Sequence, residues 1–131
     1  MKKCLGILLL TFMCSSILRG QISFSCDYRQ YCDWNDENKK FENCRGYEES
    51  SLFVLNKAET MFTHTIETMK STYYVDSKEY DEQKEVWTYS VTSDVGNKYY
   101  YVFDPKNKQV RALYTVEGNS KLIVFSVKAI F

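Results

Sequence analysis

The chain has 131 residues, with 17 basic and 17 acidic side chains, a single His and an aromatic share of 16%. That length suits one domain with its own core, burying roughly 60 to 70% of the surface its unfolded chain exposes. A balanced charge with no Lys/Arg stripe offers nothing to polyphosphate, so nucleic acid is excluded as an expected partner.

Residues 1–20 read as an export signal: Lys2 and Lys3, an apolar run through Leu5, Ile7, Leu8, Leu9, Leu10 and Phe12, then Cys14, Ser15, Ser16 and Gly20. The apolar core is about half the roughly 20 residues that a spanning helix needs, so cleavage after Ser16 or Gly20 is expected rather than a transmembrane helix. Thr11, Phe12 and Met13 before Cys14 do not form the small-residue box of a lipid anchor. Removing residues 1–20 takes away Lys2, Lys3 and Arg19 and leaves 14 basic against 17 acidic side chains in residues 21–131. The expected location is periplasmic or extracellular.

A short first strand is expected near residues 22–26. Residues 27–50 are crowded with Asp, Asn, Glu and Lys without a sustained period, which predicts a polar loop region. Cys26, Cys32 and Cys44 fall at its start and within it, and export makes one disulfide the expected state. Cys32 or Cys26 joined to Cys44 closes a longer loop than Cys26 joined to Cys32 and constrains the unfolded chain more; spacing does not fix the connectivity, and Cys32–Cys44 is the expected bridge, with Cys26 as the alternative partner and one thiol left over. Asp33, Asn35 and Glu37 resemble a calcium loop on alternate residues, but Asn38 and Cys44 stand where that loop needs Gly and a bidentate Glu.

From Ser51 onward, short runs of β-branched and aromatic residues alternate with turn signals. Strands are expected at 52–55, 60–66, 71–75, 85–92, 98–103, 109–116 and 121–130. Phe62, Ile66 and Met69 also fit a helical spacing, but the threonines of residues 58–69 favour a strand. Val95-Gly96-Asn97, Asp104-Pro105-Lys106-Asn107 and Glu117-Gly118-Asn119-Ser120 are tight-turn sequences, so the last four strands form an antiparallel meander. Alternation places Trp87, Tyr89 and Val91 on one face, as it does Tyr99, Tyr101 and Phe103, and Ile123, Phe125, Val127 and Ala129. Leu122 and Val124 on the opposite face predict a last strand buried on both sides. The fold class is therefore all-β: seven or eight short antiparallel strands curled into a barrel or sandwich, in one domain over residues 21–131.

Signals for chemistry are sparse. His64 is the sole imidazole and the one candidate general base, for a small hydrolase or thiol enzyme working with a cysteine or an acid. Carboxylates such as Glu79, Asp81 and Glu82 lie in a polar linker. Gly118-Asn119-Ser120 lacks the flanking pattern of a nucleophile elbow. No phosphate loop, dinucleotide fingerprint or paired metal motif occurs, so no cofactor and no metal site are expected. Eleven tyrosines are the unusual feature. Tyr100, opposite in facing to Tyr99 and Tyr101, and Tyr74 are the candidate binding residues for protein, peptide or carbohydrate. The leading reading is an exported, non-enzymatic binding module. The alternatives are the His64 enzyme and a small outer-membrane β-barrel, the latter opposed by strands shorter than the 9 to 11 residues that spanning requires.

Overall fold

A computed structural model describes residues 20–131, and residues 1–19 of the expected signal segment lie outside the described residues. Eight strands run β1 (Ile22–Asn35), β2 (Lys40–Leu55), β3 (Met61–Ile66), β4 (Lys70–Asp81), β5 (Val86–Ser93), β6 (Lys98–Asp104), β7 (Gln109–Val116) and β8 (Asn119–Ile130). Each pairs antiparallel with the next, and β8 returns to pair with β1, closing a barrel. The seam ends on two backbone hydrogen bonds, from Ser23 N to Phe131 O at 2.7 Å and from Phe131 N to Ser23 O at 2.9 Å. Closure pairs every strand on both sides through the body of the barrel, while β2 before Ser51 and β4 after Val75 run on paired on one side only.

Residues 27–50 are not the loop region that their polarity predicts. They form most of a long hairpin, β1 and β2, closed by a turn at residues 36–39. Two features hide it in the sequence. Register shifts between Cys26 and Tyr28 and between Tyr31 and Asp33 break the period-two alternation, and the hairpin outruns the six-residue β3, so its tip has no dry face to mark with apolar residues. The polar linker around Asp81 is likewise the end of β4 followed by a tight turn. Residues 61–66 are strand, as their threonines favour.

The turns share a device. Asn35, Asn56, Asp81 and Asp104 each accept backbone N–H groups through Oδ1, from Glu37 and Asn38, Thr60 and Met61, Gln83 and Lys84, and Asn107 respectively. Each turn then exits through a residue in the left-handed region: Lys39, Glu59, Glu85 and Lys108, with φ of 53°, 56°, 56° and 52°. The side-chain oxygen replaces a missing ladder partner, which is why Asx residues start such turns. The β7–β8 turn is different: Glu117 and Gly118 have φ of 50° and 81° between the paired Val116 and Asn119, a two-residue connection. Asn is favoured over Glu at the first such position. Glu117→Asn is expected to raise the melting temperature by about 2–4 °C, roughly half a kcal/mol of relieved strain, read by differential scanning calorimetry.

The inward face carries the core. Phe53 is fully buried at its centre, with the rings of Phe62, Phe103, Phe125 and Tyr101 at centroid distances of 4.9 to 6.2 Å. Phe24, Cys26, Leu55, Tyr73, Tyr89, Val91, Val110, Ala112 and Val127 complete it. The expected faces of β6 and β8 hold for Tyr101, Phe103, Phe125 and Val127, while Ala129 is exposed. Trp87 shares a face with Tyr89 but sits at the rim, 38% exposed, with the Lys78 ammonium 4.9 Å from its ring. Leu122 and Val124 are half-buried rather than buried, because a closed single-layer barrel has no second sheet to cover its outside.

Candidate functional site

The polar residues that the sequence left in a loop instead reach into one end of the barrel. Past the register shift, Arg29 and Tyr31 of β1 face inward. Counting back by two along β2 from Phe53 through Ser51 reaches Glu49, which meets Arg29. This is the end at which the β1–β2, β3–β4, β5–β6 and β7–β8 hairpins turn.

A cavity of about 310 Å³ opens there. Its wall is drawn from six strands: Arg29 and Tyr31 from β1, His64 and Ile66 from β3, Ser71 and Tyr73 from β4, Tyr99 and Tyr101 from β6, Tyr114 from β7, and Ile123 and Phe125 from β8, with Met69 from the β3–β4 turn. The tyrosines brace one another, Tyr73 against Tyr99 at 5.5 Å and Tyr99 against Tyr114 at 5.5 Å. Burial raises the pKa of Tyr99, Tyr101 and Tyr114, so their hydroxyls stay protonated and able to donate at neutral pH.

Arg29 is the charged group on this wall. Its guanidinium lies 4.9 Å from the Phe125 ring centroid, donates to Tyr31 Oη at 2.8 Å and reaches Glu49 Oε1 at 2.6 Å. Burial pulls its pKa down, and the Tyr31 hydrogen bond with the charge of Glu49 more than restores it, so it stays charged. The two charges touch without an aligned hydrogen bond: Arg29 Nε and Glu49 Oε1 both lack a partner, as do Ser51 Oγ and His64 Nε2. Of these residues Arg29 and His64 line the cavity, and unsatisfied buried polar atoms cost stability.

His64 is 8% exposed and stacks flat on Phe53, with centroids 4.1 Å apart and planes 2° apart. Burial, helped by the charge of Arg29, pushes its pKa down to about 3. It is therefore a neutral ring at physiological pH and a very weak base. The unfolded chain binds a proton below about 6.5 and the folded chain does not until about 3, so protonation favours the unfolded state across that window. Stability is expected to be unaffected by this group above pH 6.5 and to fall below it by up to about 1.4 kcal/mol per pH unit, about 2 kcal/mol by pH 5. Urea titrations of the wild type and His64→Phe check this: a folded variant that keeps the same slope between pH 6.5 and 5 removes His64 as the cause.

The structure joins Cys32 to Cys44 and leaves Cys26 free. Burial pushes the Cys26 thiol up to about 12. It faces Ser51 across the β1–β2 ladder, and a protonated thiol is a poor nucleophile. Asp33 pairs with Lys121 at 2.6 Å, while Asp36 accepts from Trp34 Nε1 at 2.9 Å. Asp81 Oδ1 is committed to its own turn. Tyr74 and Tyr100 stand on the outer wall, 51% and 56% exposed, and neither lines the cavity. Tyr100 instead lines a wider groove of about 960 Å³ beneath Trp34 and Phe41 of the β1–β2 hairpin, which shares Tyr99 and Tyr114 with the cavity mouth. No α-helix occurs among the described residues, hence none able to cross a membrane. Comparison with known protein families, characterised proteins and solved structures finds no match to this chain.

Proposed function

We propose that this chain is an exported, non-enzymatic binding module that holds a small ligand in the open end of its barrel. The observation that carries the reading is the tyrosine-lined cavity of about 310 Å³ walled by six strands. Small-molecule sites are concave, mostly apolar and fitted with a few convergent polar groups, and eight-stranded barrels have room for one such ligand. The wider groove beside it shares Tyr99 and Tyr114 with the cavity mouth.

Export rests on the order of charged, apolar and small residues in 1–20, and the Cys32–Cys44 disulfide is compatible with an oxidising compartment. The enzyme alternative is weakened by a His64 held neutral against Phe53 and by a Cys26 thiol kept protonated. Against a lipid-spanning barrel stands the sidedness of the wall. Phenylalanines and valines fill the interior, and the outer faces of β3 and β5 carry Thr63, Thr65, Thr88, Ser90 and Thr92, unlike the polar interior and apolar outer band of a lipid-spanning barrel.

Ser71 lines the cavity and is only partly buried, so Ser71→Trp fills it from the mouth. In a thermal-shift screen of single-ring compounds, hits are expected to raise the melting temperature of the wild type and not of Ser71→Trp. An absence of hits, or hits that act equally on both proteins, overturns the cavity as the site.

A further inference from the structure

We infer that the ligand held in the barrel mouth is an uncharged, ring-shaped molecule with an acceptor oxygen. This deepens the binding reading above and rests on it. Three features of the cavity set the class.

Size comes first. A volume of about 310 Å³ is at the lower end of the range for small-molecule sites, enough for one ring and a short substituent. Shape comes second. Tyr31, Tyr99 and Tyr114 at the mouth present ring surfaces, on which a flat molecule stacks, while the Phe125 ring below them is already covered by the Arg29 guanidinium. Methionine and isoleucine side chains, Met69, Ile66 and Ile123, fill between them with apolar surface.

Charge decides the rest. A lone arginine in such a cavity would select an anion, but Glu49 lies 2.6 Å from the Arg29 guanidinium and both side chains are largely buried. The pair leaves the cavity with no net charge. An incoming carboxylate finds the Arg29 charge already answered by Glu49, which stands behind the cavity wall, and an incoming ammonium or amidinium meets Arg29 itself, a repulsive contact where water is scarce. A neutral molecule meets neither penalty. The hydroxyls of Tyr99 and Tyr114 and the N–H groups of Arg29 are donors, and an oxygen acceptor on the ring matches them.

Benzamide, benzoate and benzamidinium are near-isosteric and differ in charge, so they read this selection directly. Each is titrated into the wild-type chain while the methyl resonances of Ile66, Met69 and Ile123 are followed by NMR. Benzamide is expected to shift them with an affinity about tenfold or more above either ion. Benzoate or benzamidinium binding as tightly as benzamide overturns the inference while leaving the mouth as the binding site. Failure of all three to move these methyls overturns the site as well. In Glu49→Gln, which frees the Arg29 charge, benzoate is expected to overtake benzamide; an unchanged order in the folded variant overturns the role given to Glu49, and if that variant does not fold the wild-type series alone decides.

Discussion

Replacing Phe53 with alanine is expected to remove about 3–5 kcal/mol of folding stability, read as a lowered midpoint in urea denaturation with an unchanged slope. The ring is fully buried and meets five other rings, Phe62, His64, Tyr101, Phe103 and Phe125. These come from β3, β6 and β8, so no single strand can shift to refill the space. A domain of this size has about 5–15 kcal/mol of stability in all, and the variant would be partly unfolded at body temperature. Tyr100→Ala, on the outer wall and 56% exposed, is the control and should change stability by no more than about 0.5 kcal/mol. A Phe53→Ala cost below about 1 kcal/mol would contradict the packing described.

Replacing both Cys32 and Cys44 with alanine is expected to cost about 2–3 kcal/mol. The bridge spans a sequence separation of 12 and sits where β1 is still paired with β8 through Cys32 and Leu122. Its loss therefore loosens the barrel wall and not the hairpin tip alone. Because β1 and β2 remain paired by backbone hydrogen bonds on both sides of the bridge, part of the loop is already constrained, which places the figure below the entropic maximum for such a loop. Equilibrium denaturation of the double variant, beside the oxidised wild type, gives the number; a difference under about 0.5 kcal/mol would mean that the ladder alone sets the hairpin. Cys26→Ala should leave the bridge intact, since the attacking species in exchange is the thiolate and the Cys26 thiol is held protonated.

Much of the fold is written plainly in the second half of the chain. The strands expected at 98–103 and 109–116 are Lys98–Asp104 and Gln109–Val116, and the strand expected at 85–92 is Val86–Ser93. Alternation there is strict because each strand separates a dry interior from solvent, and Gly96, Pro105 and Gly118 punctuate the turns. The first half obeys the same physics less legibly. Bulges in β1 shift the alternation, and the hairpin tip is wet on both faces, so residues 27–50 carry no periodic mark. The candidate site was missed for that reason. Arg29 and Glu49 lie within that polar stretch, and what places them inside is barrel closure, a long-range property. A local signal did exist: Ser51, Phe53 and Leu55 alternate inward, and extending that count back by two reaches Glu49. Tyr100 faces away from Tyr99 and Tyr101, as alternation requires; of the tyrosines that line the cavity, Tyr99 and Tyr101 lie on the expected apolar face, while Tyr31 belongs to the stretch whose polarity predicts a loop.

The seam between β1 and β8 constrains how this chain can acquire its shape. Seven of the eight strand pairs join sequence neighbours through short turns and can form as the chain emerges, but Phe24 meets Ile130 only across nearly the whole described length. Contacts of such separation must overcome loop entropy before they contribute, which slows folding to milliseconds or longer. Until then an open eight-strand sheet exposes two unpaired edges and an interior of phenylalanine, the condition in which β proteins pair with the wrong chain. Arrival of the last strand ends that exposure in one step, and the two hydrogen bonds between Ser23 and Phe131 mark its completion.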